Sequence, residues 1–445
     1  MTQTIETDYF VIGAGAMGMS FADEILHQDR HAHVTIVDKR AAPGGHWHDA
    51  YPFVTLHQPA LYYGVNSEKL GTGGTDLVSK HQILGYYERV LRKLTRTGRL
   101  RFLPGTHYSG SNTVHGVLTG KKTLINVRRK VVDATWSQVT VPATTAPRFE
   151  VSPTVTVVPP GALATLDKPW PHYAVIGAGK TALDALLYLL ERGVSSDDIT
   201  WVISRDAWLV VRQSIQPQNL FNTLKTQVDI CINAKNSQEL FERSEQAGLF
   251  MRVDPNRQPT AYRCATVNRA ELKALRTLTH LVRQGRVSAM TPQGLEFEDG
   301  SGHALPPGTL GINCTANGLK RRQAVDVFSS GRITLQPLTY CQPTFDAAAT
   351  AKIECHFKDD AARNTASTPM PYPSTPQDLP GCMLIQTQNL LQWMPTIGTW
   401  MIRSRLNIGT HMGLINNGRL ALLVKTRHKP LLDSLRRIAA QESTA

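Results

Sequence analysis

Two copies of one glycine-rich pattern, each following a short apolar run, constrain the fold of this chain more than any other feature. The first copy is residues 9–18 (YFVIGAGAMG), and the second, residues 173–182 (YAVIGAGKTA), begins 164 positions later. In each copy an apolar strand leads into a glycine turn that opens a helix, which is the arrangement that binds dinucleotides. The predicted fold class is α/β, with two Rossmann-like dinucleotide-binding domains.

The first copy is a complete fingerprint. Gly13 is expected to make the turn, Gly15 to let the backbone approach a pyrophosphate, and Gly18 to allow close packing of the helix on the strand. Amides at the helix start, together with the helix dipole, then hold the phosphates. Asp38 ends the next strand and is placed to accept hydrogen bonds from an adenosine ribose. The residues predicted to bind this dinucleotide are Gly13, Gly15, Ala16, Met17, Gly18, Asp38 and Lys39.

The second copy differs from the first in ways that bear on its ligand. Ala182 stands where the third glycine would be, and the strand over residues 199–205 ends in Ser204 and Arg205 rather than in an acid. A hydroxyl and a guanidinium suit a ribose that carries a 2′-phosphate. The second ligand is therefore predicted to be NADPH rather than NADH. Its predicted contacts are Gly177, Gly179, Lys180, Thr181, Ser204 and Arg205.

An acid in the first site and an arginine in the second suit hydride transfer from NADPH to a flavin. On these motifs the chain resembles the flavin-containing and Baeyer-Villiger type monooxygenases, flavoproteins with two dinucleotide-binding domains. Their linker pattern F-x-G-x-x-x-H is absent between Thr140 and Tyr173, so a separate branch is expected. The further segments similar to those families are Gly44-Gly45-His46-Trp47 with Tyr51-Pro52, Arg205-Asp206-Ala207-Trp208, and residues 312–318.

The resemblance implies a domain layout and further flavin contacts. Residues 1–165 and 305–445 would form the FAD-binding domain with a C-terminal substrate or cap region, interrupted by an NADPH-binding domain over residues 166–304. Residues 126–133, 148–151 and 155–158 are predicted as strands of a small meander crossing the FAD domain. A helix from Asp346 would point its N-terminus at the flavin. The implied cofactor contacts are Gly45, His46, Trp47, Ala316, Gln342, Thr344 and Phe345.

His57 and Gln58 are the candidate catalytic residues. Counted from the Tyr51-Pro52 pair, His57 takes the position of the flavin-adjacent acid of the Baeyer-Villiger family. A titratable ring there would serve oxygen chemistry at the flavin. The alternative is that His57 and Gln58 only hydrogen-bond the backbone or FAD, and both interpretations stay open.

The function that the resemblance implies is an FAD-dependent monooxygenase. It would use NADPH and O2, through a C4a-(hydro)peroxyflavin, to oxygenate a small organic substrate. Two alternatives remain: an NADPH:flavin oxidoreductase that passes electrons to another acceptor, and a flavin-bound redox-sensing or partner-binding protein.

Composition argues against other classes of function. The formal charge is +13, and the densest basic stretch is residues 89–101. Apolar residues recur at helical spacing through this part of the chain, so the stretch is interpreted as a solvated helix face rather than a nucleic-acid site. The six cysteines include no C-x-x-C pair, which argues against a zinc ribbon or a disulfide framework, and no histidine group has ligand spacing for a metal. With no apolar stretch of eighteen residues, a cytoplasmic protein without a membrane partner is expected. A homodimer stays open.

Overall fold

The computed structural model describes residues 3–316, 318 and 322–444 of the chain. Strands and helices alternate after each glycine fingerprint. The strands in chain order are β1 (Gln3–Ile12), β2 (Val34–Val37), β3 (Leu100–Leu103), β4 (Thr106–Tyr108), β5 (Thr113–Gly116), β6 (Lys122–Asp133), β7 (Glu150–Val151), β8 (Val157–Val158), β9 (Tyr173–Ile176), β10 (Ile199–Val202), β11 (Ala207–Val211), β12 (Phe250–Met251), β13 (Ala261–Val267), β14 (His280–Val282), β15 (Val287–Thr291), β16 (Gly294–Phe297), β17 (Gly302–Ala304), β18 (Leu310–Asn313), β19 (Phe328–Ser329) and β20 (Arg332–Thr334).

The α-helices follow the same chain order and share the labels used below. They are α1 (Ala16–Gln28), α2 (Lys80–Thr95), α3 (Lys180–Glu191), α4 (Pro217–Asn233), α5 (Ser237–Gln246), α6 (Arg269–Leu275), α7 (Pro343–His356), α8 (Asp360–Thr365), α9 (Asp378–Thr396), α10 (Gly398–Arg403) and α11 (Gly413–Thr444).

The first fingerprint lies at the centre of a largely parallel sheet. Its strands run in the order β19-β20-β6-β1-β2-β3, and the β4–β5 hairpin joins at β6. Strand β1 pairs in parallel with β2 on one side and β6 on the other, so that Val11 lies between Ile36 and Val132. These three residues are completely buried or nearly so, as expected for a parallel sheet covered on both faces.

The second fingerprint lies at the centre of a separate parallel sheet of order β14-β10-β9-β18-β8. Strand β9 pairs with β10 and β18, and all four of its residues are buried. Two smaller sheets accompany it, β12-β11-β13 and β17-β16-β15-β7. The chain thus leaves the first sheet after β6 and returns to it at β19. The predicted α/β architecture agrees with this layout, while the exact boundaries at 165 and 305 remain a prediction.

The prediction of one small meander between the fingerprints is wrong. Its three segments lie in three different sheets. Strand β6 lies inside the first sheet between β20 and β1, whereas β7 pairs with β15 and β8 pairs with β18. Strands β7 and β8 have only two residues each, which is too short to show a hydrophobic periodicity in the sequence. Their partners, β15 and β18, lie more than a hundred residues further along the chain.

The C-terminal helices contact both parts of the molecule. Trp393 of α9 is buried in the core of the first sheet. Leu435 and Ile438 of α11 are buried with Ile230 of α4 and with Phe241, which belong to the inserted segment. The C-terminal region therefore packs both on the core of the first sheet and on helices of the inserted segment. Among the described helices, none is both long and apolar enough to cross a bilayer.

The basic stretch forms a solvated helix face, as predicted. Ile83, Tyr87 and Leu94 of α2 are buried, whereas Arg89 and Arg92 are exposed.

Candidate functional site

The first glycine turn has the geometry that a fingerprint requires. Gly13 adopts a left-handed conformation (φ +100°) and its N–H donates to the carbonyl of Val37 (2.8 Å). A Cβ at position 18 would stand 2.0 Å from the carbonyl oxygen of Gly13, so only glycine fits. Gly15 is the N-cap of α1, followed by Ala16 and the buried Met17. The start of α1 is therefore held directly against the end of β1.

Asp38 connects this turn to the end of β2. Its buried carboxylate accepts hydrogen bonds from the N–H groups of Ala14 (2.8 Å) and Arg40 (2.8 Å). The neighbouring Lys39 is exposed and borders a cavity of about 680 Å³. The other lining residues include Arg40, Asp49, His107, His115 and Thr144. This open surface cavity, which is bordered by charged and polar residues, lies near the carboxyl end of β2, where a dinucleotide-binding fold holds the adenosine part of its ligand.

The Gly44–Trp47 segment lies over the same turn. The N–H of Gly44 donates to the carbonyl of Ala14 (2.9 Å), and a Cβ at Gly45 (φ +57°) would stand 2.9 Å from the Cα of Gly15. Trp47 is buried and its indole N–H donates to the Tyr63 hydroxyl (2.9 Å). His46 stacks on Trp47, and burial together with the nearby charge of Arg40 lowers the pKa of His46 to about 4.

Helix α7 begins beside α1, with Gln342 as its N-cap. The two helices pack together, and the Ser20 hydroxyl donates to the carbonyl of Thr344 (2.7 Å). Gln342 Oε1 and Thr344 Oγ1 are buried without a hydrogen-bond partner among the residues that the structure describes. Phe345 instead points into the core, where it stacks on Trp400 at a centroid distance of 5.7 Å. Unsatisfied polar atoms beside a glycine cradle fit the polar edge of a flavin, because such groups are normally paired.

The second glycine turn is open at the start of its helix. Gly177 (φ +138°) allows no side chain, since a Cβ would meet the carbonyl oxygen of Cys314 at 2.7 Å. Gly179 is the N-cap of α3, and a Cβ there would meet no atom within 4 Å. Lys180 forms an ion pair with Asp184 one turn later, and Thr181 follows it on α3. A phosphate group therefore has space at this helix N-terminus.

Arg205 follows the end of β10 and lies near enough to Arg263 for their charges to interact, as does Arg148. Ser204 is exposed there together with Arg205. Burial, and then the positive charges of Arg205 and Arg148, lower the pKa of the Arg263 guanidinium. Like charges held together in this way favour a bound anion. Sequence reasoning missed Arg148 and Arg263 because they belong to other elements, far from the fingerprint along the chain.

A segment of the first part of the chain reaches across to the second site. The Tyr51 hydroxyl donates to Asp184 (2.5 Å), and Phe53 stacks on Tyr188 of α3 at 4.1 Å. His57 follows in the same segment, where burial and the nearby charges of Lys180 and Arg212 lower its pKa to about 4. The ring is therefore neutral at pH 7.

The remaining predicted residues are distributed as follows. Gln58, next to His57, is buried. Ala316 is partly buried after β18, and its carbonyl accepts a hydrogen bond from the N–H of Gly318 (3.1 Å). Asn317, within the segment that resembles the families' return to the FAD domain, lies outside the described residues.

Two cysteines form a pair that the sequence did not predict. Cys264 of β13 is joined by a disulfide to Cys341, which directly precedes Gln342. Tyr262 and Tyr340, close to these cysteines in sequence, stack on each other at 6.0 Å. The two cysteines are 77 residues apart. No local motif predicts this pairing, because only the folding of the chain brings β13 close to the start of α7.

The chain matches one family model and is similar to three mycobacterial proteins. Residues 11–66 match the family model described as an NAD(P)-binding Rossmann-like domain. Three mycobacterial proteins, each named as uncharacterized, are 39% identical to this chain over 424 residues, covering 91% of it and 78% of each relative. They are Mb2023 of Mycobacterium bovis and MT2056 and Rv2000 of two Mycobacterium tuberculosis strains.

Two solved structures with a similar fold are cyclohexanone monooxygenases. Cyclohexanone monooxygenase from Rhodococcus sp. Phi1 bound to NADP+ is 15% identical, with a TM-score of 0.52 over 79% of this chain and 84% of that one. An open crystal structure of cyclohexanone monooxygenase is 14% identical, with a TM-score of 0.51 over 79% of this chain and 87% of that one. At this identity the likeness shows the fold, and the predicted fold class is confirmed.

The lowered pKa of His57 has a measurable consequence for stability. In the unfolded chain His57 takes up a proton near pH 6.5, whereas in the folded protein it stays neutral down to about pH 4. The unfolded state therefore binds more protons in this interval, and stability should fall as the pH is lowered through it. We expect His57→Gln to lose less stability than the wild type over the same interval, as measured by thermal unfolding midpoints.

A matched control is His31→Gln, which alters an exposed histidine. Its stability profile should follow that of the wild type. If the profile of His57→Gln also followed that of the wild type, the withdrawal of the His57 ring from solvent beside the charges of Lys180 and Arg212 would be contradicted.

Proposed function

Because the chain belongs to the family of the uncharacterized mycobacterial proteins Mb2023, MT2056 and Rv2000, we propose its function from its own sites. We propose that it is an FAD-dependent monooxygenase that uses NADPH and O2 to oxygenate a small organic substrate. The first fingerprint would hold FAD and the second NADPH. When bound, the two cofactors would supply the hydride and the activation of O2, so that one oxygen atom would enter the substrate and the other would leave as water.

One observation carries this proposal. The segment that leaves the first site through Gly45 and Trp47 continues to Tyr51 and Phe53, which contact α3 of the second site. The two dinucleotide sites are therefore joined by direct side-chain contacts rather than by a long linker. Hydride transfer between two bound cofactors needs such an arrangement, because the reacting atoms must meet within a few ångströms.

The chain's own residues would bind and orient the two cofactors. At the first site, the amides at the start of α1 would face the pyrophosphate, and Asp38 would accept from the ribose. Gln342 and Thr344 would satisfy their unpaired polar atoms on the flavin edge. At the second site, Gly179 and the start of α3 would approach the NADPH phosphates, with Arg205 and Arg263 on the 2′-phosphate.

His57 would act as a neutral ring beside cations. With its pKa near 4, the imidazole accepts a hydrogen bond at one ring nitrogen and donates one from the other. The positive charges of Lys180 and Arg212 oppose its protonation, so it would hold a proton at a single nitrogen throughout the neutral pH range. The stacked Phe53 and Tyr188 rings, where the same segment meets α3, would help exclude water.

The finer expectations belong to this proposal as well. They are the division into an FAD-binding part (1–165 and 305–445) and an NADPH-binding part (166–304), a cytoplasmic location, and a homodimer. The convergence of both sites on the segment over residues 51–57 supports the two-cofactor division.

Labelled oxygen tests the reaction. The purified protein with NADPH and 18O2 should place one labelled atom in the product of a ketone, sulfide or amine panel, as detected by mass spectrometry. NADPH oxidation that needs a quinone and labels no product would contradict the proposal and favour the oxidoreductase alternative. Negligible NADPH oxidation with every acceptor would favour the redox-sensing alternative.

The arginine cluster leads to a prediction about nucleotide choice. A charge-assisted hydrogen bond contributes about 1.5–3 kcal/mol, or roughly 10- to 150-fold in affinity. We therefore expect Arg205→Ala and Arg263→Ala each to weaken NADPH binding by about that factor and to leave NADH binding nearly unchanged, as measured by calorimetric titration. Lys273→Ala, an exposed cation on α6, is the control and should alter neither nucleotide. An equal loss for both nucleotides would show that these arginines do not contact the 2′-phosphate.

A further inference from the structure

Helix α11 exposes apolar side chains along one side of its first half. Leu414, Ile415 and Leu422 are 89%, 80% and 62% exposed. At helical spacing these three residues share a face with the exposed Lys425 and Lys429. We call this set of five residues the outer face of α11.

The opposite side of α11 packs against the rest of the protein. Leu431, Leu435 and Ile438 are buried, and the Ser434 hydroxyl donates to the carbonyl of Cys231 at the end of α4 (2.7 Å). Arg427 forms an ion pair with Asp229 (2.6 Å). The helix is thus held by its inner side, and the outer face is not needed for packing.

Exposed apolar side chains also occur on the elements that precede α11. Met394 at the end of α9 and Ile402 on α10 are 44% and 67% exposed. Five of the eleven large hydrophobic residues found exposed in the described structure therefore lie between residues 394 and 422. Single exposed apolar residues are ordinary, but such a concentration within 29 residues of the chain favours an interaction surface in this region.

The charged residues of this region are all basic. From residue 379 to residue 432 the chain contains no aspartate or glutamate, but it contains six lysines and arginines. Arg405 is occupied by backbone carbonyls and Arg427 by Asp229. The four other cations form no ion pair within the described part of the chain: Arg403, Arg419, Lys425 and Lys429.

We propose that the outer face of α11 binds the surface of a bilayer that contains anionic phospholipid, with the helix lying in the plane of that surface. The apolar residues of the first turns would insert below the headgroups. Lys425 and Lys429 would extend their charged ends to the phosphates. This combination of apolar side chains and unpaired cations is the pattern of interfacial helices.

Other occupants fit this surface less well. A second copy docking through the same face would bring the cations of both copies together without an acidic residue from positions 379–432 to pair with them, because a twofold interface uses the same surface patch on both copies. A peptide partner would need a groove, whereas a single exposed helix face is convex. The proposal departs from the expectation of no membrane partner, which rested on spanning segments alone; surface attachment needs no spanning helix.

Vesicle sedimentation with the full-length protein tests the proposal without reference to its activity. The wild type should sediment with vesicles of phosphatidylcholine and phosphatidylglycerol, should do so less at high salt, and should not sediment with phosphatidylcholine alone. The triple change Leu414→Ser, Ile415→Ser and Leu422→Ser, and the double change Lys425→Glu and Lys429→Glu, should each lower the partition coefficient at least about tenfold.

Leu118→Ser is the matched control, because Leu118 is 97% exposed on a distant hairpin. This variant should bind vesicles as the wild type does. All changes are at solvated positions, and unchanged thermal unfolding would verify folding. The proposal is overturned if the wild type ignores anionic vesicles, or if the face variants bind as tightly as the wild type. A wild-type dimer that the triple change converts to a monomer would identify the face as a homodimer interface instead.

Discussion

Close contact between helix α1 and the turn that precedes it underlies the whole first site. There is no space for a side chain at position 18, where a Cβ would stand 2.0 Å from the carbonyl oxygen of Gly13. This approach places the α1 amides at the carboxyl end of the sheet. The Gly44 N–H then fastens the next segment to the same turn, and α7 packs along α1 with its unpaired polar atoms beside it. The surroundings of the proposed flavin site therefore depend on one backbone contact.

Contact between the segment over residues 51–57 and helix α3 links the two proposed cofactor sites. Each fingerprint alone describes a generic dinucleotide domain. The stacking of Phe53 on Tyr188 and the hydrogen bond from Tyr51 to Asp184 place the first part of the chain at the entrance of the second site. His57 then lies among the charges of that site rather than in solvent, which accounts for its lowered pKa.

Local features of the fold and site could be predicted from the sequence, whereas features that depend on distant pairing could not. Both glycine turns and both following helices lie where the sequence places them, because turn conformation and helix start are determined within about ten residues. The strands β7 and β8 were assigned to the wrong sheet because their partners are distant. The same holds for three other features that join residues distant along the chain. The sequence could not predict that Arg263 lies near Arg205, that Cys264 pairs with Cys341, or that α11 packs on α4.

The central claim, that the two glycine turns hold two different cofactors, is tested most directly by comparing Gly15→Val with Gly179→Val. A Cβ at Gly15 would meet only the Cα of Gly45, at 3.7 Å, and one at Gly179 would meet nothing within 4 Å, so both variants should fold. Visible absorbance and NADPH titration should show that Gly15→Val loses flavin but binds NADPH, while Gly179→Val keeps flavin but loses NADPH. If both variants lost the same ligand, or neither lost one, the two-site account would be contradicted.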